Sequence, residues 1–258
     1  MPSEELLLIG RDTGHGRDVL ETHAARLVGS DAVESATVAT YKHEPYRELR
    51  ETLGNLDTER VYAIPMFASH TYDTVDELPG VLSVISGEVQ YGELLGQSPA
   101  VTDVIDDRAR EAVAGDQNTS LVLVGLGSNS APDQQQATEY HAERLRERAR
   151  YDEVKTCYLM QNPAVECVRY AVSNDRVVAA PMFLAHSEAT DEQIPTKLEL
   201  DRGGIAYADP LGAHDRLTDA IHGELERLRV LADEGTTSNA RIDTAHRPLA
   251  ADGEGPTE

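Results

Sequence analysis

ERVYAIPMFASHTYDTVDELP, residues 59–79, and DRVVAAPMFLAHSEATDEQIP, residues 175–195, are one passage written twice. Pro65, Met66, Phe67, His70 and Pro79 of the first stand over Pro181, Met182, Phe183, His186 and Pro195 of the second. Working outward, three further blocks pair in the same order. LLLIGRDTGHG from Leu6 parallels LVLVGLGSNS from Leu121, and THAARL from Thr22 parallels YHAERL from Tyr140. VQYGELLGQSPAVTDVI from Val89 parallels IAYADPLGAHDRLTDAI from Ile205. Four blocks in one order, at offsets of 115 to 118 residues, identify an internal duplication.

Each copy carries the signature of an α/β unit. Leu6–Gly10 is a short continuous apolar run, the pattern of a strand buried on both faces. Val19–Val28 has a helical stripe of apolar residues, with Glu21, His23 and Arg26 assigned to the polar side. Ala36–Tyr41 alternates as a strand, a helix is expected after Pro45, and Val61–Pro65 is the next buried strand. Strands that alternate with helices form parallel βαβ units with right-handed crossovers. The expected fold is therefore two tandem α/β half-domains, with parallel sheets facing a central cleft. Residues 1–115 form the first, 116–232 the second, and 233–258 a flexible acidic tail without periodicity.

Ligands of open α/β sheets sit beyond the carboxyl ends of the strands. That rule selects the loops Arg11–Arg17 and Met66–Pro79 in the first copy, and Leu126–Asp133 and Met182–Pro195 in the second.

Composition narrows the function. The 258 residues include 46 acidic and 23 basic side chains, a formal net charge of −23, and only three lysines, Lys42, Lys155 and Lys197. Such self-repulsion opposes compaction at low ionic strength and is screened at molar salt, where the Debye length falls to about 3 Å. The acidity reads as adaptation to a saline cytoplasm; an acidic face for a basic partner is the competing reading. Nucleic acid is not an expected partner, because phosphate binding needs clustered Lys and Arg. A membrane is not one either, since no apolar run approaches the roughly 20 residues of a spanning helix. The opening MPSEE lacks the basic start of a secretory signal. Cys157 and Cys167 have no zinc spacing and read as small buried residues in a reducing compartment.

The chemistry-bearing residues lie on the rim loops. Gly14-His15-Gly16 follows the first strand, and flanking glycines leave the imidazole uncovered. His70 lies on the other loop, five residues after Pro65. Two neutral imidazoles there suit a divalent metal or proton exchange near neutral pH. The plainer reading for His15 is a solvent-facing loop residue, and for His70 a ring fixed to a nearby carbonyl. His186 is an inherited geometry or a duplicated ligand. His43-Glu44 ends the second strand at the same rim, and Asp73, Asp76 and Glu77 make the His70 loop acidic. GRDTGHG lacks the G-x-G-x-x-G spacing, no Lys follows GLGSNS, and no Ser–His–Asp or Cys–His set stands out.

At these residues the chain resembles the class II tetrapyrrole chelatases, specifically the sirohydrochlorin cobaltochelatase family in its long, two-repeat, haloarchaeal-type form. The resemblance spans roughly residues 5 to 230. Gly14-His15-Gly16-Arg17 corresponds to the family's Gly-His-Gly-Ser-Arg without the serine, and Glu77-Leu78-Pro79 to its closing Asp-Ile-Pro. It implies two chelatase-like half-domains that insert a divalent metal, Co2+ or else Fe2+ or Ni2+, into sirohydrochlorin during cobalamin-type synthesis. It also implies His15 and His70 as metal ligands and proton acceptors, Glu44 as a shifted substitute for the family's glutamate, and no cofactor beyond the substrate metal. The partners implied are the tetrapyrrole and the metal, for a cytoplasmic monomer or homodimer. Three departures accompany it. Asp73 aligns with the family's second histidine, Glu44 is displaced, and Ser130 replaces the Gly-His-Gly histidine in the second copy. These place the expected site in the first half and admit a divergent, non-catalytic metal- or tetrapyrrole-binding relative as the rival.

Overall fold

The computed structural model describes residues 3–113, 118–129 and 132–233. The first copy contributes β1 (Glu4–Arg11), α1 (Gly16–Gly29), β2 (Ala36–Tyr41), α2 (Pro45–Gly54), β3 (Arg60–Pro65), α3 (Leu78–Leu82), β4 (Glu88–Tyr91) and α4 (Pro99–Ala112). The second contributes β5 (Thr119–Gly125), α5 (Pro132–Glu147), β6 (Glu153–Tyr158), α6 (Val168–Ala171), β7 (Arg176–Pro181), α7 (Ile194–Lys197), β8 (Ile205–Tyr207) and α8 (Asp215–Asp233). Even a π-helical turn recurs, at Asp73–Glu77 and Ala189–Gln193. Of the expected tail 233–258, Asp233 is the last residue of α8, and residues 234–258 lie outside the described residues. Cys157 is buried as a small packing residue would be, whereas Cys167 is exposed.

Both sheets are four-stranded and parallel, in the orders β2-β1-β3-β4 and β6-β5-β7-β8. The pleat decides what each strand covers. Leu6 and Leu8 of β1 point into the same apolar cluster as Leu121 and Leu123 of β5. Leu7 and Ile9 point the other way, onto Leu49 and Leu53 of α2 and Val81 and Leu82 of α3. Val122 and Val124 do likewise against Val168 of α6 and Ile194 of α7. Both faces of each sheet are thus covered, as a parallel sheet requires. A truncation such as Leu8→Ala or Leu123→Ala should cost about 2–5 kcal/mol.

Between the sheets lies a shared helical layer, with one continuous core running from β1 through α1, α8, α4 and α5 to β5. Among the described residues a helical layer, rather than an open cleft, therefore separates the two sheets. The last helix of each copy has crossed over. α4, from the first copy, packs on β7 and β8, whereas α8, from the second, packs on β3 and β4. The duplication unit and the packing unit are therefore different.

The crossover explains a correction. Helical periodicity assigns His23 to a polar face, yet the structure buries it completely, because α8 covers that side of α1. His23 Nδ1 shares a hydrogen bond with Thr218 Oγ1 at 2.8 Å. Its counterpart His141 is equally buried, with Nδ1 2.8 Å from Thr102 Oγ1 and Nε2 2.8 Å from the Gly96 carbonyl. A carbonyl only accepts, so His141 carries its proton on Nε2 and takes the Thr102 hydroxyl proton on Nδ1. Burial, aided by Arg26 near the first and Arg144 near the second, pushes both imidazoles down to about 4.

Candidate active site at the strand-end rim

In sheet order β2-β1-β3-β4 the chain leaves β1 in one direction and β3 in the other. Their carboxyl ends therefore flank a topological switch point, where a crevice opens because the loops diverge. The loop after β1 carries His15, and the loop after β3 carries His70.

The first loop is a tight turn into α1. Gly16 N–H donates to Thr13 O at 2.9 Å, and a Cβ on Gly16 would lie 2.5 Å from the Arg11 carbonyl. Gly14 has φ +54°, and a Cβ there would fall 2.0 Å from the His186 carbonyl. Both glycines are thus required by close approach, the second by approach to the other copy. His15 occupies the N-cap position of α1, its side chain 68 % exposed, with Nδ1 3.1 Å from Asp18 Oδ2. Its backbone N–H donates to His186 O at 2.9 Å.

His186 follows β7 and is exposed, with Nδ1 2.8 Å from Asp191 Oδ1. That hydrogen bond, helped by Thr190 and by the nearby His15, holds the Asp191 carboxyl below the usual carboxylate range.

His70 is placed differently. Nε2 lies 2.8 Å from the Gln97 amide nitrogen, while Nδ1 is buried without a partner. The ring lines a cavity of about 410 Å³ together with Glu93, Gln97, Asp133, Gln136 and Tyr140, so it faces α5 of the second copy. The fixing partner is a side-chain amide rather than a carbonyl of the main chain. Among the described residues no hydrogen bond or ion pair joins His15 to His70, and His15 is not among the residues lining the His70 cavity. Nor do any three His, Cys, Asp or Glu side chains among the described residues form a group that could hold a metal ion.

Glu44 sits at the N-cap of α2 with an exposed side chain that caps nothing. The carboxylate at work in that corner is Glu48. It accepts from the backbone N–H groups of Lys42, His43 and Glu44 at 2.8–2.9 Å, and these three bonds pull its pKa down to about 2. His43 is exposed, and its amide belongs to this cap. Asp73, the residue aligned with the family's second histidine, is only 13 % exposed and paired with Arg11. It also accepts from Tyr41 Oη at 2.8 Å, and Arg11 stacks over the Tyr41 ring at 5.0 Å. Burial first, and Asp73 second, raise the Tyr41 phenol well above its ordinary value. Asp76 is exposed and Glu77 half-buried. Ser130 lies outside the described residues.

Sequence reasoning passed over Asp18, Gln97 and Asp191, which tie His15, His70 and His186 in turn. Asp18 is legible as i+3 from His15 on one helix; the other two depend on loop geometry.

The comparisons agree with this architecture. The CbiX family model matches residues 6–112 and again 120–228, one match for each copy. The chain is 25% identical over 201 residues to a probable sirohydrochlorin cobaltochelatase of Halobacterium salinarum, covering 67% of this chain and 68% of that one. Among solved structures, SirB from Bacillus subtilis with Fe3+ superposes with a TM-score of 0.73 at 15% identity, over 91% of this chain and 98% of that one. The multi-domain protein DR2241 of Deinococcus radiodurans also gives 0.73, at 21% identity, over 87% of this chain. This chain spans about half of that protein, 55% of its length. Among the described residues no helix is long and apolar enough to cross a membrane. With both copies matched in register with the two observed sheets, the chain belongs to the CbiX family.

Proposed function

We propose that the protein inserts a divalent metal ion, with Co2+ the metal favoured, into sirohydrochlorin. The observation that carries the reading is His15. An exposed imidazole stands between two obligatory glycines at the switch point of the first sheet, with Nδ1 turned to Asp18 and Nε2 left open. The names of the relatives from Halobacterium salinarum and Methanopyrus kandleri support the substrate and the metal. The SirB structure with Fe3+ keeps iron as the competing metal.

The chemistry asks for little else. The ion must shed water, and two pyrrole N–H protons must leave as it enters the macrocycle. The product is the metal complex plus two protons. A neutral imidazole serves as ligand through its Nε2 lone pair and, once the ion has moved on, as proton acceptor. Asp18 orients the ring and stabilises its protonated form. His70, whose lone-pair nitrogen is the Nε2 that accepts from the Gln97 amide, is a second acceptor in this reading once that amide turns away, and Glu44 an exposed carboxylate that passes protons to water. No cofactor beyond the substrate metal is called for. The excess of acidic residues fits work at molar salt in the cytoplasm, by a monomer or homodimer.

One observation favours a second reading, a non-catalytic metal or tetrapyrrole carrier: Asp73 is neutralised by Arg11 and Tyr41. The test mixes purified protein, sirohydrochlorin and Co2+ in molar salt and follows the absorbance change of insertion. Catalysis requires a rate above the protein-free reaction. Binding of the macrocycle with no such rate would reject the enzyme and leave the carrier.

A further inference from the structure

α2 opens at the carboxyl end of β2, beside the turn that holds His15. Three contacts tie the two loops together. Asp12 N–H donates to Tyr41 O at 2.8 Å, Arg11 Nη1 donates to Lys42 O at 2.8 Å, and Lys42 Nζ lies 3.7 Å from Asp12 Oδ2. The cations of these loops are neutralised locally: Arg11 is paired with Asp73, Arg17 with Glu21 at 3.2 Å, and Lys42 with Asp12. α2 is different. Arg47 and Arg50 are exposed, and among the described residues neither has a carboxylate within ion-pair distance. Glu48, the acid between them, is turned back onto the backbone N–H groups of Lys42, His43 and Glu44. Tyr46 is 54 % exposed, and the Arg50 guanidinium lies over its ring at 6.0 Å. The feature belongs to the copy that carries Gly14-His15-Gly16. Pro45-Tyr46-Arg47-Glu48 stands over Pro163-Ala164-Val165-Glu166, where Val165 is buried and no cation is present.

From this we infer that Arg47 and Arg50 form a carboxylate-binding edge that holds acetate and propionate side chains of the tetrapyrrole beside the His15 turn, with Tyr46 as the positioning residue for Arg50. The inference deepens the chelatase reading and rests on it for the identity of the ligand. Carboxylic acids of this kind are ionised near neutral pH, so the macrocycle is a polyanion. A chain of net charge −23 repels it over most of its surface. At molar salt, where the Debye length is about 3 Å, long-range steering is lost and contact decides recognition. A guanidinium supplies that contact as a planar fork, which takes a carboxylate through two parallel N–H···O bonds. Stacking over Tyr46 fixes the plane of Arg50 and leaves its N–H donors free.

The test titrates the full chain with metal-free sirohydrochlorin in molar NaCl and follows the quenching of the macrocycle's fluorescence. Arg47→Ala and Arg50→Ala are each expected to weaken binding about tenfold. Arg202→Ala removes the same charge from an exposed position ahead of β8, at the opposite end of the second sheet, and should bind as the parent does. Tyr46→Phe should keep the parental affinity and Tyr46→Ala should lose part of it, because the ring and not the hydroxyl carries the stack. Equal binding by those two would remove Tyr46 from the role. In insertion assays the arginine variants should raise KM and leave kcat unchanged. Parental affinity in the double variant Arg47→Ala/Arg50→Ala would overturn the inference, and insertion by that variant at the parental KM would do so with the chelatase reading intact. A macrocycle held through both arginines without any catalysed insertion leaves the edge standing and rejects the chelatase.

Discussion

The inner helical layer and the strand-end rim of this molecule treat the duplication in opposite ways. In the inner layer the copies repeat one buried contact: His23 Nδ1 meets Thr218 on α8, and His141 Nδ1 meets Thr102 on α4, both at 2.8 Å, although only His141 has a partner for Nε2. At the rim they part. Gly14-His15-Gly16 faces Asn129-Ser130-Ala131 in the alignment, and the Arg11–Asp73 pair faces Leu126 and Ala189. Packing tolerates little change because a buried polar group needs its partner, whereas a solvated loop accepts almost any polar residue. A duplicated fold can thus hold its two halves together by symmetric stitches and confine its chemistry to one asymmetric edge.

Acid should challenge the symmetric region most. An unfolded histidine takes its proton as pH falls through about 6.5, while His23 and His141 resist protonation down to about 4. Between those values the unfolded chain binds more protons, so their neutral burial contributes stability above pH 6.5 that is lost as pH falls toward 4. At full protonation the loss is on the order of 3 kcal/mol per histidine. Urea denaturation at pH 7.5 and pH 5 should show this slope, and a His23→Gln/His141→Gln variant should flatten it. An equal slope in the variant would mean that other groups control acid stability.

A smaller effect probes the seam. Gly14→Ala combines a positive φ with a clash on the His186 carbonyl and should cost about 2–3 kcal/mol. Asn129→Ala, at the corresponding exposed position of the second copy, should stay within about 0.5 kcal/mol. Equal costs would show that the two loops are not distinguished by contact across the seam.

Smallest is the conversion of the first rim into the second. Arg11→Leu leaves the Asp73 carboxylate without its cation and should destabilise by about 1–2 kcal/mol. Adding Asp73→Ala reproduces the Leu126 and Ala189 pair and should recover at least half of that loss, measured as a double-mutant cycle. Strict additivity would mean that the pair is not coupled.

Much of the fold was legible in the sequence, since buried parallel strands such as Leu6–Gly10 and Val61–Pro65 are continuous apolar runs and the repeat fixes their order. The exchange of α4 and α8 was not. Helical periodicity shows that Val101, Val104 and Ile105 form an apolar stripe but not which sheet will cover it. The burial of His23 follows from that exchange, so it was hidden for the same reason. At the site, Gly14-His15-Gly16 was legible because its glycines have a backbone cause. The pairing of His15 with His70 was inferred from adjacent strand ends, and adjacency alone could not reveal that Gln97 draws one ring toward α5 while Asp18 and Asp191 hold the others at the seam.

The most direct measurement is the cobalt-insertion rate of His15→Ala beside the parent chain in molar salt. The account predicts a fall of about 100-fold or more, to the spontaneous background, in a variant whose unfolding temperature is unchanged. An undiminished rate would contradict the assignment of the rim imidazole as ligand and proton acceptor.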